Sequence, residues 1–429
     1  MSWPALGSLQ SEFEGATSVR TAEESDVLPM RQRRHSMELV IKALQDASTP
    51  LTASGLMPRT DLSRQGVLAV CDALISLGLV IEVAPTAPRS ATGVGRRSRT
   101  FAFNDRAGFV AGVELGPERI VAQLCNLRGD IVTATVVERR TPIQSASALI
   151  DEAKNIIDDL VVEAAIDPGL LTTVAVGVPA PVDHNGGVGS STRVSGLPGI
   201  NVIEAFSAGR PWEVLVDNDA NLAVIGERWR GAAQGLDGVV LMLVQERFGA
   251  GIIDSGRIVR GGSGFAGQME FVRLLEGGHG TQGIVPLTAL FVEQLSEEDR
   301  TRVTTQAPAE QSASSSEQSV GPLEVEAVFE AASKGDRVAL TIVDGVADRL
   351  ARVSAVVATL LGPDILVFGC DVPSDAEELL EPVRRKLADL VEGEPPSLVR
   401  SELRDQAVAV GAVRCALDLA HQRLIPSRF

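Results

Sequence analysis

The sequence predicts an α/β protein in which a small helical module precedes a larger α/β body. The chain has 429 residues, which favours more than one domain. Its net charge of −17 is uneven, because residues 31–106 carry eleven Arg or Lys against six Asp or Glu and the remainder is strongly acidic. After residue 106, short apolar runs alternate with helical patterns. A basic module on an acidic body indicates that only the module meets nucleic acid.

The cysteines and the hydropathy pattern argue against two classes of protein. Four cysteines lie far apart and form no CxxC pair, which predicts buried thiols in a reducing compartment rather than a disulfide framework. They are Cys71, Cys125, Cys370 and Cys415. No apolar run reaches the length of a membrane span, and the N-terminus lacks the apolar core of a signal peptide. We therefore expect a cytoplasmic protein.

The helical module, at residues 35–105, is predicted to follow a disordered tail, because residues 1–34 are polar and lack periodicity. From His35 the spacing predicts a first helix, and a second short helix follows at about 51–57. The first helix buries Met37, Val40, Ile41, Leu44 and Ala47. Ser63 suits the N-cap of a third helix. That helix has a buried stripe of Val67, Val70, Cys71, Leu74 and Leu77. Strands are predicted at 79–83 and 100–103.

Three helices and a hairpin in this order predict a winged helix-turn-helix, whose third helix enters the major groove of double-stranded DNA. Arg and Gln can both contact bases in a bidentate manner. The loop between the strands is basic and rich in glycine, which suits contact with phosphates or the minor groove. It carries Arg89, Arg96, Arg97 and Arg99. The predicted DNA contacts are Ser63, Arg64, Gln65, Arg96 and Arg97. The alternative is a helical interaction module with a solvated basic loop.

The body, residues 106–429, is predicted to begin with a three-stranded meander. Its strands lie at 109–115, 120–127 and 131–137, before a helix at 145–165 and a strand at 171–178. Residues 296–323 are rich in Ser, Glu and Gln and predict a flexible insertion. Later predicted elements are helices at 324–333, 336–361 and 377–392, strands at 364–369 and 397–403, and a C-terminal helix from Gln406.

The stretch VLVDNDAN at residues 214–221 is the strongest candidate for a site in the body. An apolar run ends in a polar turn that opens a helix, and ligands of α/β proteins gather at the carboxyl ends of strands. Asp219 is placed to accept a proton from a substrate hydroxyl, with Asn218 and Asn221 as hydrogen-bonding partners. The competing interpretation is an Asp or Asn cap on the helix. From this stretch alone the two interpretations are equally good.

The neighbouring motifs decide between them. VAVGVPAPVD at 174–183 precedes this stretch, and GAGIIDSGR at 249–257, RGG at 260–262 and GFAG at 264–267 follow it. In this order the motifs resemble the ROK family of repressors, open reading frames and sugar kinases. The resemblance covers about residues 35–425, including the wing sequence Gly95-Arg96-Arg97. It implies a two-lobed, actin-like (ribonuclease-H-like) body of the ROK sugar-kinase type and places Asp219 at the family's catalytic-base position.

The chain departs from the family's kinases at both phosphate loops. Where these kinases have D-x-G-G-T, the chain has Glu114, Gly116, Pro117 and Glu118. Pro117 removes an N–H donor, and Glu118 places a negative charge beside the phosphate position. Where they have G-T-G-x-G, residues 246–251 include the bulky Phe248. We therefore expect neither ATP binding nor enzymatic activity.

The sugar and zinc motifs are altered too. The family's G-E-x-G-H continues the GFAG turn, and here Gln268 replaces its Glu and Phe271 its His. The resemblance still places the ligand cleft beside Asn218, Asp219, Gln268 and Glu270. No cysteine occurs in residues 277–283, where the family's zinc cluster belongs, and a lone His279 does not supply four ligands. We expect no metal and no cofactor.

These features predict a transcriptional repressor that binds an inverted-repeat operator as a homodimer or a higher homo-oligomer. Its body is expected to sense a sugar or sugar phosphate without phosphorylating it. One alternative is an ATP-dependent sugar kinase with an extra domain, which Asp219 favours and Pro117, Glu118 and Phe248 oppose. Another is a regulator whose body only dimerises, since the family's Glu and His are lost at Gln268 and Phe271.

Overall fold

The computed structural model describes residues 22–425 with gaps at 85–97, 245–246, 276–281, 305–321 and 370–375, and at single positions 140, 144, 184, 191, 193 and 263. The chain divides into two compact units. The first comprises Met1–Asn104 with Arg423–Phe429, and the second comprises Asp105–Gln422. None of the described helices is both long and apolar enough to cross a membrane.

The first unit consists of three helices and a small antiparallel sheet. Its elements are α1 (Ala22–Gln45), β1 (Leu51–Thr52), α2 (Ala53–Thr60), α3 (Arg64–Ser76), β2 (Val80–Val83) and β3 (Thr100–Phe103). The sheet has the order β1-β3-β2. The core is formed by Leu56, Phe101, Phe103 and most of the predicted apolar stripes of α1 and α3. Ala47 and Leu77 are exceptions, because each lies beyond the end of its helix and is only partly buried. The order of helices and hairpin agrees with the order that the sequence predicts.

Two local features set the turn between α2 and α3. Asp61 ends α2 in the left-handed conformation, with φ of 54°, and its N–H donates to the carbonyl of Met57. Ser63 caps α3, and its hydroxyl accepts a 3.1 Å hydrogen bond from the N–H of Gly66. The predicted cap is therefore confirmed. An N-cap satisfies an otherwise unpaired N–H group in the first turn, which stabilises the end of the helix.

The predicted disordered tail at residues 1–34 is wrong for residues 22–34, because α1 begins at Ala22. Gln32 and Arg33 are exposed. The sequence of this segment is polar and has no apolar stripe, so periodicity does not detect the helix. Residues 1–21 lie outside the described part of the chain.

The second unit contains two sheets built on the same plan. The elements of the first are β4 (Phe109–Leu115), β5 (Arg119–Asn126), β6 (Ile131–Glu138), α4 (Ala146–Glu163), β7 (Leu171–Val178), α5 (Val202–Ser207), β8 (Glu213–Asn218) and α6 (Asp219–Arg230). The strand order is β6-β5-β4-β7-β8. The three strands of the meander are antiparallel, and β7 and β8 continue the sheet in parallel with β4.

The second sheet repeats this plan with the order β11-β10-β9-β12-β13. Its elements are β9 (Val239–Leu243), β10 (Gly249–Asp254), β11 (Arg257–Ile258), α7 (Ile284–Glu293), α8 (Glu297–Thr304), α9 (Pro322–Ser333), α10 (Arg337–Leu361), β12 (Ile365–Gly369), α11 (Ala376–Leu390), β13 (Ser397–Arg400) and α12 (Ala407–Arg423). Each sheet has its own apolar core. This duplicated plan confirms the predicted two-lobed, actin-like body.

The predicted flexible insertion at 296–323 is wrong at its beginning, where α8 forms. Ser296 accepts a hydrogen bond from the N–H of Asp299, and Val303 is fully buried. Arg302 also pairs with Asp336 at 2.9 Å. A single buried valine in a polar stretch is too weak a pattern to indicate a helix from sequence. Residues 305–321 lie outside the described part.

Helices α6 and α12 cross in van der Waals contact between backbones. A Cβ atom at Gly411 would lie 1.7 Å from the carbonyl oxygen of Leu222, and one at Gly226 would lie 2.4 Å from that of Ala407. At Gly112, on β4, a Cβ atom would lie 2.3 Å from the carbonyl oxygen of Ala409. Glycine is therefore needed at all three positions. The crossing fixes α6, which begins at the candidate site.

Candidate functional site

The N-terminal end of α3 is an exposed polar surface of the first unit. Ser63, Arg64 and Gln65 are all exposed there. The guanidinium of Arg64 donates a 3.1 Å hydrogen bond to the hydroxyl of Ser54, at the start of α2. In helix-turn-helix proteins these N-terminal residues of the recognition helix meet the base edges. The predicted residues are thus together on one accessible surface.

Of the arginines in the predicted basic loop, only Arg99 lies in the described part of the chain. Arg96 and Arg97 fall within residues 85–97, outside the described part of the chain. Arg99, which the sequence places in the same basic loop, is engaged within the protein. It forms ion pairs with Asp72 at 2.7 Å and with Glu82 at 2.9 Å. Sequence reasoning could not distinguish this arginine from its neighbours.

In the second unit, Asn218 caps α6 and also orients Asp219. Its Oδ1 accepts from the N–H groups of Ala220 at 3.1 Å and Asn221 at 3.4 Å. Its Nδ2 donates to Asp219 Oδ1 at 2.8 Å and to the carbonyl of Ala180 at 3.0 Å. The cap interpretation is therefore confirmed for Asn218. The amide is used within the protein, and the residue as a whole is only 7% exposed, so Asn218 orients the half-buried Asp219.

Asn221 lies behind this turn and is 1% exposed. Its Nδ2 donates to Asp217 Oδ1 at 2.8 Å, while its Oδ1 is buried without a hydrogen-bond partner. Asn221 lines neither of the two cavities described below. Direct contact between Asn221 and a substrate hydroxyl is therefore not supported by its position.

An ion pair between Asp217 and Arg260 joins the two sheets. Asp217 ends β8 of the first sheet, and Arg260 follows β11 of the second. Asp217 Oδ2 accepts from Arg260 Nη2 at 2.6 Å and from Nε at 3.0 Å. Such two-point pairing of Arg with a carboxylate fixes relative orientation as well as charge. Sequence reasoning missed this contact, although both residues lie in the motifs that carry the family resemblance.

Two adjoining cavities open beside this ion pair. One of about 590 Å³ is lined by Pro181, Asp183, Gly189, Asn201, Gly262 and Phe265. A second of about 320 Å³ is lined by Asp183, Asn185, Asp217, Arg260 and Cys415 among others. Burial raises the pKa of the Cys415 thiol to about 12, so it stays protonated. Both volumes fit a small ligand of the size of a monosaccharide.

The predicted ligand residues do not line these two cavities. Gln268 is half-buried, and its backbone forms a bridge with Gly249. A Cβ atom at Gly251 would lie 2.0 Å from the carbonyl oxygen of Ala220, so β10 packs on the start of α6. That strand thereby brings the backbone of Gln268 near the turn that holds Asp219.

Glu270 is placed differently. It is exposed and forms ion pairs with Arg273 at 2.9 Å and with Arg247 at 3.9 Å. Phe271 packs against the core of the second sheet, and Phe248 is buried in that core. Phe248 is thus a core residue of the second sheet.

The turn between β4 and β5 is closed by internal contacts. The N–H of Gly116 donates to the carbonyl of Arg119 at 2.9 Å. The Arg119 guanidinium bonds both carboxylate oxygens of Glu114 at 3.2 Å. The carbonyls of Pro117 and Glu118 accept from the N–H groups of Ile143 and Arg139.

A phosphate at this turn needs N–H donors that point outward. The N–H of Gly116 is already used, and Pro117 has none.

A metal site would need several ligands close together. No group of three or more potential metal ligands occurs among the described residues. His279 lies at 276–281, outside them.

Comparison with known proteins agrees with this architecture. The profile of the ROK family matches residues 110–419. The xylose repressor of Caldicellulosiruptor bescii is 22% identical over 401 residues, which cover 89% of this chain and 94% of the repressor.

Two solved structures share the fold. One is a ROK family transcriptional regulator, a homologue of the E. coli MLC protein, with a TM-score of 0.64 and 19% identity over 90% of this chain and 96% of its own. The other is a ROK family glucokinase from Streptomyces griseus in complex with glucose and AMPPNP. It has a TM-score of 0.59 and 24% identity, and the match covers 72% of this chain and 100% of the kinase. The chain belongs to the ROK family.

Proposed function

We propose that this chain is a DNA-binding transcriptional repressor whose body senses a small carbohydrate without phosphorylating it. The observation that carries the proposal is the extent of the similarity. The xylose repressor matches 89% of this chain. The glucokinase matches only 72%, although the whole kinase is covered. The unmatched share is comparable in size to the first unit.

The first unit supplies the DNA-binding surface in this proposal. Arg64 and Gln65 are exposed at the N-terminal end of α3, where their side chains reach base edges in the major groove. Arg96 and Arg97 contact the backbone or minor groove from the wing. A homodimer presents two such surfaces and binds an inverted repeat, with half-sites about one helical turn or a multiple apart.

The test is the binding of the full-length protein to a duplex selected from a random library. Arg64→Ala is expected to cost about 1–3 kcal/mol and to relax sequence preference at one position of each half-site. The matched control is Arg352→Ala, which removes an exposed arginine of the second unit. Equal binding by wild type and Arg64→Ala would contradict the assignment of α3 as the recognition helix.

The second candidate function is an ATP-dependent sugar kinase. Asp219 favours it, because its carboxylate is half-buried and oriented by Asn218. The closed turn at Gly116, Pro117 and Glu118 and the buried Phe248 oppose it. A coupled assay for ADP release with a panel of hexoses and pentoses decides. Sugar-dependent turnover that disappears in Asp219→Asn would establish the kinase.

The effector is expected to be a sugar or sugar phosphate held near Asp219, Gln268 and the two cavities. An ionised carboxylate is a strong acceptor for sugar hydroxyls, so Asp219 remains useful without catalysis. Gln268 keeps one acceptor oxygen while it removes the charge of Glu. The ligand changes DNA affinity only if it binds two states of the body unequally, and such coupling is typically about 5- to 150-fold.

A thermal-shift screen identifies the effector, because a ligand that binds only the native state raises the melting temperature. The DNA affinity is then measured with and without each ligand found. Asp219→Ala is expected to abolish the response and to leave ligand-free DNA binding intact. A panel in which no sugar shifts the melting temperature would favour the alternative that the body only dimerises.

A further inference from the structure

Arg99 joins three elements of the first unit at the base of the wing loop. Its Nη1 lies 2.7 Å from Asp72 Oδ1 on α3. Its Nε and Nη2 each lie 2.9 Å from Glu82 Oε2 on β2. Its guanidinium carbon also lies 5.0 Å from the centre of the buried Phe101 ring on β3. Two carboxylates and an aromatic ring thus hold one side chain in a single orientation.

This position controls where the wing leaves the hairpin. The hairpin ladder runs from Val80 and Phe103 to Val83 and Thr100, so Arg99 is the first residue outside it. The loop that carries the remaining wing arginines begins just beyond. The bond from Arg99 to Asp72 reaches out of the sheet to α3. It therefore ties the base of the loop to the recognition helix rather than only to its own hairpin.

Asp72 lies on the surface of α3 that faces outward. It is exposed, as are Gln65 and Ala69, seven and three residues before it. Seven residues are two helical turns, so Gln65 and Asp72 share one stripe about 10 Å apart. A bare carboxylate on such a stripe repels DNA phosphates. The hydrogen bond to Asp72 raises the pKa of the Arg99 guanidinium above its usual value, so the guanidinium stays charged.

We propose that Arg99 and Asp72 form a positioning pair that sets the start of strand β3 against helix α3, and that Arg99 does not itself bind DNA. The inference rests on the proposed function, and it assigns to Arg99 a role unlike that of Arg96 and Arg97. Removal of either partner frees the base of the loop, so it weakens specific binding. The sign of the Asp72 effect is diagnostic. Simple electrostatics predicts tighter binding when an exposed negative charge near DNA is removed.

The experiment compares full-length wild type, Asp72→Ala, Arg99→Ala and the double variant. The probes are the tightest duplex selected by wild type from a random library and a scrambled duplex of the same length. Each single variant is expected to bind the selected duplex about fivefold more weakly, since the pair is half-exposed. The double variant is expected to be no weaker than the singles, because one interaction is removed once.

Two further readouts separate positioning from contact. The slope of log affinity against log salt is expected to be unchanged in Arg99→Ala, whereas loss of a phosphate contact lowers it by about 0.9. Asp72→Glu, which retains the carboxylate, is expected to recover part of the affinity. Arg34→Ala is the matched control, since it breaks an exposed pair with Glu38 on α1 at 3.0 Å. Melting temperatures confirm that all variants are folded.

Tighter binding by Asp72→Ala, or a reduced salt slope in Arg99→Ala, would overturn the inference. Wild-type affinity in both single variants would also overturn the inference, but it would leave the proposed function intact. If wild type selects no duplex at all, the proposed function fails and the inference fails with it. The two failures are therefore distinguishable.

Discussion

Gly411→Ala is expected to destabilise the second unit, because α6 and α12 cross where a side chain has no space. A Cβ atom at 411 would lie 1.7 Å from the carbonyl oxygen of Leu222 and 3.0 Å from the backbone nitrogen of Gly226. The obstacles are backbone atoms, which cannot rotate away as a side chain can. The helices must therefore separate until a distance of 1.7 Å becomes at least 3.0 Å, which disturbs the packing of α12 on β4 at Gly112.

The magnitude follows from the cost of overpacking. Extra atoms in a well-packed core typically cost about 1–3 kcal/mol, and an immovable backbone places this variant near 3 kcal/mol. Unfolding entropy is about 2.1 cal/mol/K per residue. For a unit of roughly 320 residues, that cost lowers the Tm by about 4–5 °C.

A thermal melt followed by circular dichroism measures this shift. Gly199→Ala is the matched control, because a Cβ atom there would meet nothing within 4 Å and the φ angle is not positive. Its Tm is expected to stay within about 1 °C of wild type, since unobstructed surface substitutions change stability by about 0.5 kcal/mol or less. Equal melting of Gly411→Ala and wild type would refute the close crossing of α6 and α12.

Three other outcomes are expected from buried or bridging groups. Glu227→Ala should reduce the free energy of unfolding by about 3–5 kcal/mol in a urea titration, because each buried donor left without an acceptor costs about 1–3 kcal/mol. The buried carboxylate accepts hydrogen bonds from the Ser401 hydroxyl and from the N–H groups of Leu403 and Ala232, which would lose their acceptor. Arg260→Ala should cost less than about 1 kcal/mol in the same titration, because its ion pair is partly exposed to solvent. A Cys370→Ser variant leaves only Cys71, Cys125 and Cys415, and burial raises the pKa of each of these thiols to about 12. This variant, in its native state, should therefore react slowly with a thiol reagent at pH 8.

Local chemistry made the first unit predictable from sequence. Ser63 is a good cap wherever a helix begins, and the apolar stripe of α3 follows from helical spacing alone. The start of α1 was not predictable, since the polar sequence there has no apolar stripe. The role of Arg99 was not predictable either. Its partners Asp72 and Glu82 are 27 and 17 residues away, and only the folded hairpin brings them together.

The second unit shows the same limit at its candidate site. The motifs located the turn at residues 214–221 correctly, because a strand that opens a helix has a recognisable pattern. The ion pair from Asp217 to Arg260 spans 43 residues and two sheets, and no spacing rule predicts it. The sequence gives a wrong indication of the burial of Glu227. Its charge is typical of a solvent-exposed helix position, yet it is fully buried because backbone N–H groups supply its partners.

Asn218 explains why the cap and the site were equally good interpretations of the same residues. Its carbonyl oxygen caps α6, and its amide nitrogen holds the carboxylate of Asp219 at 2.8 Å. The two roles use different atoms, so they do not compete. A carboxylate held this way needs no reorganisation before it accepts a hydroxyl, whether the hydroxyl is to be deprotonated or only bound. The same turn therefore serves a kinase and a sensor equally well. In the function proposed above, the difference between the two lies at the turn of Gly116 and Pro117, where the N–H of Gly116 is already bonded and Pro117 has none.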